Sequence, residues 1–173
     1  MNTIILQQPK RILFGTGCIQ QSADEFKTAG WNRLFVITSP QVADAQPGLF
    51  DLWRGRGLAV EVFRGVDREP EIALFEQVLA ACRAFRPDVV IGLGGGSPLD
   101  VSKLVAALLD GRQAVREVFG IGLLRGRGTP LVCIPTTAGT GADVSPNAIL
   151  LDEAERLKKG VVSPHLVPDM AIC

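Results

Sequence analysis

The sequence is poor in the residues that most often carry chemistry. It has a single histidine, His165, and four widely scattered cysteines, Cys18, Cys82, Cys133 and Cys173. None of the cysteines forms a CxxC pair, so neither a disulfide scaffold nor a thiolate metal cluster is expected. They read as reduced, mostly buried thiols. One histidine leaves most metal sites and histidine-dependent triads short of members. Excess charge is also missing: 18 basic residues face 18 acidic ones. Nucleic acid and strongly charged partners are therefore not expected, and a small molecule or a protein is the better candidate. No apolar run approaches the roughly 18 residues that a membrane span needs. Met1 to Lys10 lacks the charged-then-apolar pattern of a secretory signal. The expectation is a cytoplasmic protein without membrane contact.

What is present suits a soluble α/β protein: 173 residues, 47% hydrophobic and 21% charged, with few aromatics and 19 glycines. That length fits one compact domain over residues 1–173. Thr3 to Leu6 and Arg11 to Phe14 read as a short strand pair at a sheet edge, followed by a helix over Cys18 to Ala29. Apolar strand-like runs then alternate with helices. The strands are Leu34–Ile37, Ala59–Phe63, Asp88–Ile91 and Leu131–Ile134; the helices are Gly48–Gly55, Glu71–Phe85 and Pro98–Leu109. Ile72, Phe75, Val78, Leu79 and Cys82 recur at the three-and-four spacing of one helix face. Continuous apolar strands separated by helices predict a Rossmann-like parallel sheet flanked by helices, with ligands at the carboxyl rim of its strands. Beyond Asn147 the pattern changes to short strands, with a charged turn over Asp152 to Lys159.

Two loops at that rim concentrate the interest. The strand through Ile91 runs into Gly92-Leu93-Gly94-Gly95-Gly96-Ser97-Pro98-Leu99-Asp100. Successive glycines permit positive φ and close approach of a ligand. Ser97 reads as an N-cap, with Pro98 at the first helical position and Asp100 completing a capping box. Free amides at a helix N-terminus make an anion site suited to a pyrophosphate. The plainer alternative is a tight connection that binds nothing. The second loop, Pro135-Thr136-Thr137-Ala138-Gly139-Thr140-Gly141, gathers three hydroxyls that can serve phosphate, ribose or carboxamide. Its plainer alternative is a local turn capped by its own threonines. Gly120-Ile121-Gly122 with Gly126 reads as a mobile surface loop, since no apolar strand leads into it.

Gly94-Gly95-Gly96-Ser97-x-x-Asp100-x-x-Lys103 followed by Ile134-Pro135-Thr136-Thr137-Ala138-Gly139-Thr140-Gly141 closely resembles the iron-dependent, group III alcohol dehydrogenases. The resemblance runs from the early strands to Ser163-Pro164-His165-x-x-Pro168-Asp169. It implies an NAD- or NADP-binding N-terminal domain in which Gly94, Gly95, Gly96 and Ser97 hold the pyrophosphate. It places Thr136, Thr137 and Thr140 along the nucleotide with Asp100 close by, and matches Lys158 to a nucleotide-contacting lysine; a solvated turn is the alternative for Lys158. Ser39 stands at or near the position where many members carry an aspartate that favours NAD, so NADP becomes admissible. Arg68-Glu69-Pro70 replaces the family's Pro-Asn-Pro, and that contact is not carried over.

The family's divalent metal, usually iron and sometimes zinc, is held by an aspartate and three histidines in a helical C-terminal domain. The chain ends at Cys173, before those ligands are expected, and His165 does not match one of them. It reads as a loop or packing residue. The resemblance thus implies hydride transfer between an alcohol and its aldehyde or ketone in a full-length parent, with this chain catalytically incomplete. A free-standing nucleotide-binding module, and a glycerol dehydrogenase or dehydroquinate-synthase-like enzyme, are the alternatives. An apolar face left for a second domain could also drive homo-oligomerisation.

Overall fold

The computed structural model describes residues 7–173. Its elements follow the chain as β1 (Arg11–Leu13), α1 (Ser22–Thr28), β2 (Arg33–Ile37), α2 (Pro40–Ala45), α3 (Pro47–Gly55), β3 (Ala59–Phe63) and α4 (Ile72–Phe85). Then come β4 (Val89–Gly94), α5 (Gly96–Leu108), β5 (Gly120–Ile121), β6 (Leu131–Pro135), β7 (Asn147–Asp152), β8 (Leu157–Val162) and β9 (Met170–Ile172). Six strands form one parallel sheet in the order β1-β9-β6-β4-β2-β3. β7 and β8 form an antiparallel hairpin, and β5 adds to β8 to make a second, three-stranded sheet.

Alternation along each strand explains the two layers around the main sheet. Phe35, Ile37, Val90, Leu131 and Cys133 pack under α4 and α5. Their neighbours Leu34, Val36, Val89, Ile91, Val132 and Ile134 pack on the other face against α1 and α3. Side chains two apart share a face, so a strand apolar at every position must be covered on both sides. Trp53 anchors the second layer, fully buried, with its Nε1 donating to Ser22 Oγ at 2.7 Å. Truncating such a residue typically costs about 3–5 kcal/mol.

The order also fixes where a ligand can enter. From β2 the chain first moves outward to β3, then crosses back to place β4 on the other side of β2. The connections out of β2 and β4 therefore diverge, leaving a crevice at their carboxyl ends, the usual ligand position in open α/β sheets.

Several expectations needed correction. Thr3 to Leu6 lie outside the described residues, and Arg11 to Leu13 pair in parallel with β9 at the edge of the main sheet. The early helix begins with a 3-10 turn over Cys18–Gln21. α2 went unread, although Ser39 caps it and Pro40 opens it. Gly120-Ile121 is not a free loop: Ile121 pairs with Val162 in the small sheet. β9 does not stay with β7 and β8 but inserts between β1 and β6.

Candidate functional site at the carboxyl rim

The glycine turn follows β4 directly. Gly94 has φ of 146°, a conformation other residues rarely adopt, and a Cβ there would stand 2.9 Å from Pro98 Cγ. Gly95 is extended and is itself the N-cap of α5, which starts at Gly96. Ser97 is therefore the second residue of the helix, and the capping box expected from Ser97 and Asp100 does not form. The glycine lets the chain turn two residues earlier than the serine signal suggested. The amides of Gly96 and Ser97 occupy the first turn, where helix geometry provides no intrahelical acceptor. Pro98, with no N–H, removes the need for a third. Two donors at the positive end of a 13-residue helix thus remain at the rim.

The threonine loop is brought against this turn. Thr136 donates its amide to the Gly94 carbonyl at 2.9 Å, extending the β4–β6 pairing past the sheet. A Cβ on Gly95 would lie 3.4 Å from Thr137 Oγ1, and one on Gly96 would lie 3.1 Å from Thr140 Cγ2. The missing side chains are what allow the two loops to converge. Thr136, Thr137 and Thr140 are exposed at the rim. Thr140 Oγ1 also accepts from the Ala142 amide at 3.3 Å, so part of the local-turn reading holds for it.

The other predicted residues are placed more variously. Ser39 follows β2, the strand beside β4, and so stands at the crevice; its Oγ accepts from the Val42 amide at 3.3 Å. Asp100 lies on α5, one turn below the glycine turn, and its Oδ2 accepts from the Ile149 amide at 3.1 Å. Burial raises its pKa to about 6, against the opposing influence of Lys103 and of that amide. Lys158 lies on β8, opposite Leu151, and pairs with Glu69 at 2.7 Å. That loop is also tied to the hairpin through the Leu151 amide, which donates to the Pro70 carbonyl at 2.9 Å. The Arg68-Glu69-Pro70 segment, set aside in the sequence, thus touches the same part of the molecule as Lys158.

Three residues here have roles that the sequence did not assign. Gly92 has no room for a Cβ, which would come within 2.3 Å of Ser102 Oγ, so it seats α5 on β4. Thr38 is fully buried beside Ser39, and its Oγ1 has no hydrogen-bond partner among the described residues. Lys103, fully buried on α5, donates to Ser145 O at 2.9 Å, Ser145 Oγ at 3.1 Å and Asn147 O at 2.9 Å. Burial lowers its pKa, with Cys133, Asp100 and Asp143 acting in the opposite sense. The Gly-x-x-x-x-x-x-x-x-x-Ser pairing of Gly92 with Ser102 is a packing relation that no short motif announces.

A roomy depression of about 640 Å³ lies at the opposite end, where β6 and β9 begin, lined in part by Lys10, Arg127, His165 and Asp169. Arg127 is already committed there, to Asp169 Oδ2 at 2.6 Å and to the carbonyls of Thr129, His165 and Val167. The guanidinium closes a loop junction, and His165 contributes its carbonyl. Among the described residues no three His, Cys, Asp or Glu side chains gather to hold a metal ion. No described helix is long and apolar enough to cross a membrane.

A doubly covered parallel sheet with a glycine turn entering a helix beside its crossover crevice defines a Rossmann-like α/β protein. The comparisons carry this one step further. The family model for iron-containing alcohol dehydrogenases matches residues 9–173, and the chain belongs to that family. The sulfoacetaldehyde reductase of Bilophila wadsworthia is 33% identical over 165 residues, covering 94% of this chain and 43% of the relative. An alcohol dehydrogenase from Oenococcus oeni superposes with a TM-score of 0.92 at 25% identity, over 98% of this chain and 45% of the other. The sulfoacetaldehyde reductase of Bifidobacterium kashiwanohense, solved in complex with NAD+, gives 0.87 at 27% identity, over 99% of this chain and 46% of the other. The chain thus spans less than half the length of each of these relatives.

Proposed function

We propose that the chain is the dinucleotide-binding part of an oxidoreductase that moves a hydride between an alcohol and its carbonyl product, using NAD or NADP. The observation that carries this reading is the approach of Gly95 and Gly96 to Thr137 and Thr140 at the crossover crevice. The amides of Gly96 and Ser97 receive the pyrophosphate, whose negative charge the α5 N-terminus favours. The thin wall at Gly94 to Gly96 lets phosphate oxygens reach those amides. Thr136 and Thr137 offer hydroxyls to the nucleotide beyond the pyrophosphate, with Thr140 at the side.

Ser39 holds the ribose end of the crevice, where a hydroxyl imposes no charge repulsion on a 2′-phosphate, so NADP is accepted beside NAD. Lys158 reaches the nucleotide only by leaving Glu69. Asp100 supports the loop wall through the Ile149 amide instead of facing the pyrophosphate. The described residues do not form a ligand set for a divalent metal, and no metal-dependent step is assigned to them. The chain's part in hydride transfer is to bind and orient the nicotinamide nucleotide. The bound cofactor supplies the hydride acceptor or donor.

Parallel calorimetric titrations with NAD and NADP test the reading. Saturable binding of at least one, without alcohol oxidation by the isolated chain, is expected. Failure of both to bind overturns it.

A further inference from the structure

We propose that Lys103 is a positioning residue that holds the threonine loop in register with the glycine turn. The inference rests on the nucleotide-site reading for its consequence, though not for its geometry. Lys103 is fully buried, yet all three protons of its ammonium are used on one short segment, Ser145 to Asn147. That segment is where the threonine loop ends and β7 begins. It needs an outside donor: Pro146 has no N–H, and the carbonyls of Ser145 and Asn147 point into the interior beside α5. A buried ammonium is tolerated only when its donors are satisfied, and buried carbonyls only when they are paired. Lys103 meets both requirements at once.

One turn earlier on the same face of α5, Asp100 takes the Ile149 amide. A donor and an acceptor three residues apart therefore grip β7 at two successive points. The helix that presents Gly96 and Ser97 at its N-terminus also fixes the exit of the loop that presents Thr136, Thr137 and Thr140. The loop's other end is already fixed by Thr136 on Gly94. With both ends referred to one turn and its helix, the two walls of the crevice keep their spacing before any ligand arrives, which is the condition for pre-organised binding.

The test compares wild type with Lys103→Met, which keeps an apolar stem and removes the donors. Hydrogen exchange in the unliganded protein is expected to quicken over residues 136–149 and to stay unchanged over β2 and β3. The dissociation constant for NAD is expected to rise at least tenfold. Ser22→Ala, which removes the Trp53 partner in the opposite layer, serves as a control: it lowers the melting temperature and leaves NAD affinity unchanged. In Lys103→Ala, n-propylammonium is expected to restore loop protection and n-propanol is not, because three acceptors must be met and the alcohol, of similar volume, brings a single donor. If Lys103→Met does not fold, Ser145→Ala takes its place and is expected to give a smaller rise in exchange over the same residues. Wild-type exchange rates at 136–149 in the folded variant overturn the proposal, as does equal rescue by propanol. If wild type binds neither nucleotide, the nucleotide reading fails, while the exchange rates still decide the role of Lys103.

Discussion

Gly96 and Thr140 lie so close that a single methyl group added to the glycine would stand 3.1 Å from the threonine Cγ2. The space is set by two loops 44 residues apart in sequence, and Gly96→Ala asks the threonine to give by a few tenths of an ångström. The helix tolerates alanine well. Melting temperature is therefore expected to change little, while nucleotide affinity falls several-fold; calorimetry with NAD and a thermal melt separate the two effects.

Gly94→Ala is expected to behave in the opposite way. Its φ of 146° and the nearby Pro98 ring make the substitution strained in the folded state itself. Such backbone strain costs on the order of 1–3 kcal/mol, which for a chain of this size lowers the melting temperature by about 2–4 °C per kcal/mol. A thermal melt matching wild type would show that the turn relaxes freely.

Gly92→Ala tests packing and not binding. Its Cβ would come within 2.3 Å of Ser102 Oγ and 3.0 Å of Leu99 Cδ2. Overpacking of this kind costs roughly 1–3 kcal/mol. Adding Ser102→Ala is expected to return part of that loss, measured by urea denaturation as a shift in midpoint at unchanged slope.

Two carboxylates give the stability opposite pH dependences. Asp100 is raised to about 6 in the folded chain, so the folded state holds its proton more tightly than the unfolded state does. Between about pH 4 and pH 6 its contribution therefore becomes less favourable as pH rises. Asp152, held down to about 2 by hydrogen bonds from Arg116 and Lys159, stabilises the fold above its unfolded pKa near 4 and loses that contribution as pH falls toward 2. Asp100→Asn is expected to flatten the first slope and Asp152→Asn the second, in denaturation curves taken from pH 3 to pH 7. Unchanged slopes would contradict both assignments.

The alternating strands and the α4 helix were legible because their signals are local: apolar runs for strands, a three-and-four spacing for the helix face. The convergence of the glycine and threonine loops was legible as a shared rim, since parallel strands must end on one side. What escaped depends on contacts distant in sequence. Ser97 carries a good capping signal, yet Gly95 takes the cap because the turn must meet the threonine loop. β5 is only Gly120-Ile121 and exists through its pairing with β8. Lys103 closes the glycine motif in the sequence, but its work there is legible only once Ser145 and Asn147 are seen beside it.

Amide chemical-shift mapping during an NAD titration decides whether the glycine turn and the threonine loop form one nucleotide site. Saturable shifts are expected to concentrate at Gly95, Gly96, Ser97, Thr136 and Thr137, with little change around Lys10, Arg127 and His165 at the far end of the sheet. Shifts confined to that far end, or no saturable shift at the turn, would contradict it.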